Sequence, residues 1–144
     1  MIISTGASNL EEIKQTVNLI RRYNSKELII MHCILSYPTK NKDANLLMIN
    51  DLKKFFPKEL IGYSDHTKPD REMMVTKNAF VLGAKVIEKH FTHNKKLKGN
   101  DHYHSMDFND LKNFREEIKK IISILGSSKK KPIDIEINSR KYAR

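Results

Sequence analysis

A single cysteine, Cys33, occurs in 144 residues. That excludes a disulfide framework and a cysteine-based zinc cluster, and it fits a reducing, cytoplasmic setting. Long apolar runs are missing as well. Leu28–Met31 stops after four residues at His32, whereas a membrane-spanning helix needs about 20. Met1-Ile2-Ile3 runs straight into Ser4-Thr5-Gly6, which is not the pattern of a secretory signal. No Gly-x-Gly-x-x-Gly and no phosphate-loop lysine motif occurs, so nucleotide binding has no motif behind it. Acidic residues are the minority: 17 against 27 Lys and Arg, a formal balance of +10. Of those 27, 21 are Lys and they are spread along the chain, whereas readers of base edges lean on Arg. Neither nucleic acid nor membrane is therefore the expected partner. A cationic face suits an anionic small molecule instead.

What is present is alternation. The hydrophobic residues, 39% of the chain, come in periodic runs that suffice for one core. Ile2-Ile3 is a short apolar start. Ser8 or Asn9 can cap a helix carrying Ile13, Val17 and Ile20 at helical spacing up to about Tyr23. Leu28–Cys33 has the continuous apolar character of a strand buried on both faces. Leu46, Ile49, Leu52, Phe55 and Phe56 form a second helical stripe that ends at Pro57. Leu60–Tyr63 is a third strand. Pro69 opens a helix continuing from Met73 to Leu82, with Gly83 to end it, and Ala84–Ile87 is a fourth strand. Residues 92–104 read as a loop. Asp107 caps a last helix with Leu111, Phe114, Ile118, Ile121 and Leu125 on one face, and a polar tail follows Gly126. The order predicts an α/β fold of four parallel βα units. Four units make half of a (β/α)8 barrel; a free-standing doubly wound sheet is the alternative.

Function in parallel α/β proteins collects at the carboxyl ends of strands. Here these ends carry Ser4-Thr5-Gly6, His32-Cys33, Ser64-Asp65-His66-Thr67 and Glu88-Lys89-His90. Five of the six histidines fall between His66 and His104. His66 and His90 follow neighbouring strands about 4.8 Å apart, so their imidazoles can share a cation. Asp65 and Glu88 are at hand as ligands or supporting groups. Two hydrogen-bonded strand-end histidines with no metal are the plainer alternative. His102-Tyr103-His104 is a weaker metal pattern, Cys33 reads as packing, and His32 as a hydrogen-bonding core residue. Lys95, Lys96 and Lys98 precede Gly99-Asn100-Asp101-His102, either as a mobile cationic loop over the site or as a solvated surface loop.

Five blocks in this order resemble the sialic acid synthase family, which includes N-acetylneuraminate synthase and its legionaminate, pseudaminate and spore-coat relatives. They are Ile3–Gly6, His32-Cys33 with Tyr37-Pro38, Gly62–Thr67, Gly83–Thr92, and Gly99-x-Asp101-His102-x-x-Ser105. The resemblance implies a (β/α) barrel followed by an antifreeze-like domain. It implies condensation of phosphoenolpyruvate with an N-acylated amino sugar, such as N-acetylmannosamine, to a nine-carbon 2-keto sugar acid and phosphate. It implies a divalent metal, Mn²⁺ with Mg²⁺ or Co²⁺ as alternatives, held by His66 and His90. By the same resemblance Ser4 and Ser64 are donors to phosphoenolpyruvate, and Tyr37, Glu88 and Asp101 face the sugar, with Glu88 and Asp101 as the catalytic candidates. Leu35 departs from the pattern: the family has Asn or Ser there, and Leu donates no hydrogen bond.

The resemblance also divides the chain into residues 1–126, the C-terminal half of the barrel, and 127–144, a basic linker toward an antifreeze-like domain. Four preceding βα units would lie outside it, leaving Ile2–Ser4 and Ala84–Ile87 with open edges. Ile30 or Met31, and Ile61 or Tyr63, would then lack opposing residues. The expected partner is a missing N-terminal half or a second copy of the chain, and the chain alone is expected to have negligible activity. An inactive half-barrel that serves binding or assembly is the alternative function.

Overall fold

In the computed structural model, which describes residues 1–143, four strands form one parallel sheet in chain order. They are β1 (Ile2–Ser4), β2 (Ile29–Cys33), β3 (Leu60–Asp65) and β4 (Val86–Lys89). The register aligns Ser4 with Met31, Met31 with Gly62, and Gly62 with Val86; two residues on, Cys33, Ser64 and Glu88 stand side by side. The crossovers are α1 (Leu10–Tyr23), α2 (Met48–Phe55) and α3 (Met74–Val81), and α4 (Phe108–Leu125) follows β4. This is the α/β alternation of parallel βα units that the periodicity predicts.

Asn9 starts α1 through a capping box with Glu12, and Asp107 starts α4 through one with Asp110. Each satisfies two backbone donors that a helix end leaves unpaired. Ile13 and Val17 of α1, Ile49 and Leu52 of α2 and Ala79 of α3 pack on Leu28, Ile30, Ile61, Tyr63 and Ala84. Of the residues expected to lack opposing partners, only Met31 is on the uncovered face; neither Ile61 nor Tyr63 is, because both alternate with Gly62 onto the helix side. Ile30, Ile61 and Tyr63 face the helices. Met31 belongs to the opposite face, where it lies across Gly62: a Cβ on Gly62 would meet its sulfur at 2.2 Å. On that face Ile2 is 58% exposed, and Leu60 and Val86 are half-buried.

Three boundaries differ from the sequence expectation. Pro69 does not open α3. Met73 takes a left-handed conformation (φ 48°), and the Asp70 carboxylate accepts from the Met74 N–H at 3.1 Å, so the helix begins at Met74. β4 starts later than Ala84, because the Gly83 and Ala84 N–H groups still close α3 on Phe80 and Ala79; Lys85 N–H makes the first bond to Ile61. Leu46 and Leu47 lie in the turn before α2. Residues 92–104 are a loop with closed ends. Phe91 and Met106 form a parallel bridge, Met106 N–H donates to His90 O and Thr92 N–H to Met106 O, both at 2.8 Å, and His102–His104 make a 3-10 turn.

The α4 face is held loosely. Phe114, Ile118 and Ile121 are half-buried, but Leu111 and Leu125 are exposed and no residue of the helix is buried. Beyond Gly126 the alternating Ile133–Ile137 stretch forms a 3-10 turn (Asp134–Glu136) and a short helix, α5 (Ile137–Arg140), with all three isoleucines exposed. Of the basic tail, Arg144 lies outside the described residues. Among the described residues no helix is long and apolar enough to cross a membrane.

Candidate active site

Pleating puts alternate residues of a strand on opposite faces. Ser4 of β1, Cys33 of β2, Ser64 of β3 and Glu88 of β4 therefore share the face away from the helices. Beyond the strand ends His66 and His90 continue the row. With Gly6, Leu35 and Tyr37 these residues line one open cleft of about 380 Å³. Six of the seven residues singled out from the sequence meet there: Ser4, Tyr37, Ser64, His66, Glu88 and His90. Asp101 stands at the rim, its Oδ1 3.8 Å from His90 Nδ1. A second cleft, about 370 Å³, opens between β1, β2, α1 and α2. It holds none of the seven, and its lining is largely apolar.

The histidines form a chain of rings. His66 lies 4.1 Å from Tyr37 and 5.4 Å from His90, and His90 lies 5.2 Å from His104, measured between ring centroids. His66 is buried, and its Nδ1 donates to Ile34 O at 2.9 Å. That bond fixes the tautomer and leaves Nε2 with a lone pair. Of the pair, His66 has the anchored second nitrogen that a ligating histidine carries; His90 has only Asp101 Oδ1, 3.8 Å from its Nδ1. Burial, with Cys33, Asp101 and Glu88 nearby, pushes the Tyr37 phenol up, so it is a hydrogen-bond donor at neutral pH.

His104 belongs to the weaker His-x-His pattern, and the structure sets it beside His90. It is 1% exposed, and neither ring nitrogen has a hydrogen-bond partner. Leaving such a group unsatisfied costs on the order of 1–3 kcal/mol. Burial lowers its pKa, and the neighbouring His90 lowers it further. The two histidines of His102-Tyr103-His104 thus separate. His102 is spent on the loop, with Nδ1 2.8 Å from Thr92 Oγ1, while His104 turns inward. The sequence signal was the His-x-His spacing; the burial came from the closed loop.

Two strand-end residues do not join the cleft. Asp65 and Lys89 point to the helix side and form an ion pair of 2.6 Å, with side chains 1% and 2% exposed. Asp65 also accepts from Tyr63 OH (3.1 Å) and Thr67 N–H (2.9 Å), and Lys89 donates to Thr67 O. Asp65 is therefore no ligand in the cleft, because alternation turns it away from His66. Lys95 is likewise not free to meet an anion: it binds Asp107 and Asp110 at the start of α4. Lys96 and Lys98 are exposed. Cys33 is buried, and His32 donates through Nε2 to Ala44 O at 2.9 Å.

The chain is matched by a family of known proteins. The NeuB family model covers residues 1–130. The chain belongs to the NeuB family. Among its relatives, N,N'-diacetyllegionaminic acid synthase of Legionella pneumophila is 38% identical, over 100% of this chain and 40% of the relative. Pseudaminic acid synthase of Helicobacter pylori is 34% identical, over 99% of this chain and 41% of its own length. The crystal structure of the N-acetylneuraminic acid synthetase of Leptospira borgpetersenii superposes with a TM-score of 0.88 at 35% identity, covering 98% of this chain and 48% of the other. The chain thus spans about two fifths of the length of the curated relatives it matches.

Proposed function

We propose that this NeuB-family chain forms half of the active site of a sialic-acid-type synthase. The reaction joins phosphoenolpyruvate to an N-acylated amino sugar such as N-acetylmannosamine. One C–C bond forms between the enol carbon and the sugar aldehyde, water adds at the former enol position, and phosphate leaves. The observation that carries this reading is the single cleft at the strand ends, where Ser4, Ser64, Tyr37, His66, Glu88 and His90 converge.

Ser4 and Ser64 offer hydroxyl donors to the phosphate or carboxylate of phosphoenolpyruvate. Tyr37, a donor, and Glu88 and Asp101, acceptors when ionised, bind and orient the sugar hydroxyls, and the carboxylates hold or release a proton. His66 and His90 would hold a divalent cation, Mn²⁺ with Mg²⁺ or Co²⁺ as alternatives. When bound, such an ion polarises the aldehyde oxygen as a Lewis acid. The open β1 and β4 edges and the uncovered face are closed, in this reading, by further βα units. Alone, the chain has negligible activity.

Leu35 favours the competing reading of an inactive assembly module, because an alkyl group 61% exposed in the cleft takes a place where a donor serves phosphoenolpyruvate. A chimera decides between them. Residues 1–126 replace the matching segment of the Legionella synthase, and phosphate release from phosphoenolpyruvate is measured with and without acyl-amino sugars. Sugar-dependent release that Glu88→Gln abolishes supports the enzyme. A folded chimera with no release overturns it.

A further inference from the structure

We propose that His104 is a nitrogen ligand of the cleft's divalent cation, sharing it with His90 and Asp101. One ligand atom from each of these three residues lies within 4.8 Å of the others. This rests on the reading that the cleft takes a cation, and it adds a ligand that the His66 and His90 pair does not include.

The geometry of the loop argues for a built position. Ser105 Oγ donates to Asp101 O at 2.5 Å and Ser105 N–H donates to His102 O. His102 is tied to Thr92, and Met106 pairs with Phe91. These bonds hold both ends of the His102–His104 turn, so the imidazole of His104 is delivered to His90 by a fixed backbone. A buried imidazole with no partner on either nitrogen is rare, because buried polar groups are normally paired. A metal ion supplies the missing partner and needs the imidazole neutral.

The donor set has two imidazoles and one carboxylate, a mixed nitrogen and oxygen set. Such a set favours borderline ions such as Co²⁺ or Zn²⁺ over Mg²⁺, which prefers oxygen.

The test uses the full 144-residue chain and metal alone. Co²⁺ binding is titrated by its visible absorption, and Zn²⁺-induced shifts of histidine ring ¹⁵N resonances are recorded on the unaltered chain. His104→Phe keeps the ring-shaped volume, and circular dichroism of the metal-free variant checks its fold. Expected is a loss of affinity of about tenfold or more in His104→Phe, no change in His93→Phe, whose side chain is exposed, and Zn²⁺ shifts at both His90 and His104. If His90→Phe weakens binding while His104→Phe does not, and the His104 nitrogens do not shift, the proposal fails and the cation reading stands. No metal binding by the unaltered chain overturns both. If His104→Phe does not fold, the nitrogen shifts on the unaltered chain decide alone.

Discussion

Glu88 and Lys89 are neighbours in one strand and belong to different parts of the molecule. Lys89 goes to the helix side, where its charge is buried against Asp65 and every neighbouring polar group is paired. Glu88 goes to the other side and lines an open cleft with histidines and serines. The same four strands therefore carry a face that is finished and a face that is not. The finished face is packed by three helices and satisfied in its hydrogen bonds. The other keeps His104 unpaired and Leu35 and Ile2 in the open. Groups that hold the fold are satisfied by the fold, and groups left unsatisfied mark where chemistry enters.

The sharpest way to break this contrast is to remove one partner of the buried pair. Asp65→Leu or Lys89→Met leaves a charge buried alone, and a loss of about 3–5 kcal/mol is expected in urea unfolding. The double variant should recover most of it. Glu88→Gln, one residue away on the other face, should stay within about 0.5 kcal/mol of the parent while abolishing phosphate release in the chimera. A large stability loss for Glu88→Gln would blur the two faces.

Gly62→Ala tests the joint between them. Its Cβ would lie 2.2 Å from the Met31 sulfur and 2.8 Å from Val86 O. The methionine can swing aside and the carbonyl cannot, so about 1–3 kcal/mol is expected, read as a lower unfolding midpoint.

Acid probes the finished face. Burial lowers the pKa of His32, with a smaller opposing effect from its bond to Ala44. Folded His32 thus binds its proton less readily than the unfolded chain, whose pKa is about 6.5. Its contribution is present above that value and is lost as pH falls from there toward the lowered folded pKa. Urea midpoints should fall from pH 7.5 to pH 5, and less steeply in His32→Gln. A pH-independent difference between the two proteins would contradict this.

The smallest effect on the fold is expected at Leu35. Leu35→Asn should change stability by no more than about 0.5 kcal/mol. It adds a donor worth about 1.5 kcal/mol to a charged group, so in the chimera, if the proposed reaction holds, the KM for phosphoenolpyruvate should fall up to about tenfold.

Much of this was legible beforehand, and the limits have physical causes. The alternation of apolar strands and amphipathic stripes is a property of local spacing, so the parallel βα order could be read directly. Asn9 and Asp107 announce their helices through side chains that bond their own neighbours. Which face a strand-end residue occupies depends on register and the pleat, and one residue separates Asp65 from His66. That is why Asp65 reads from the sequence as a possible ligand or supporting group. Met73 in a left-handed conformation carries no sequence signal, because a side chain normally avoids it. His104 differs from His102 in burial and in lacking a hydrogen-bond partner, which two residues of spacing do not encode. The convergence of Ser4, Tyr37, Ser64, Glu88 and the two strand-end histidines was recognisable because motif order carried it across strands.

The bridge between Phe91 and Met106 has a consequence for change over time. Because both ends of the intervening segment are pinned to the sheet, its middle is free to vary in length. Doubling a flexible loop adds only about 0.6 kcal/mol of closure entropy, so residues inserted at the exposed Lys96–Lys98 stretch would leave the strands undisturbed. Asp101 rides on that segment at the cleft's rim. In the proposed synthase, selection for a different sugar would have an inexpensive route here, through loop length, that leaves the buried scaffold unaltered.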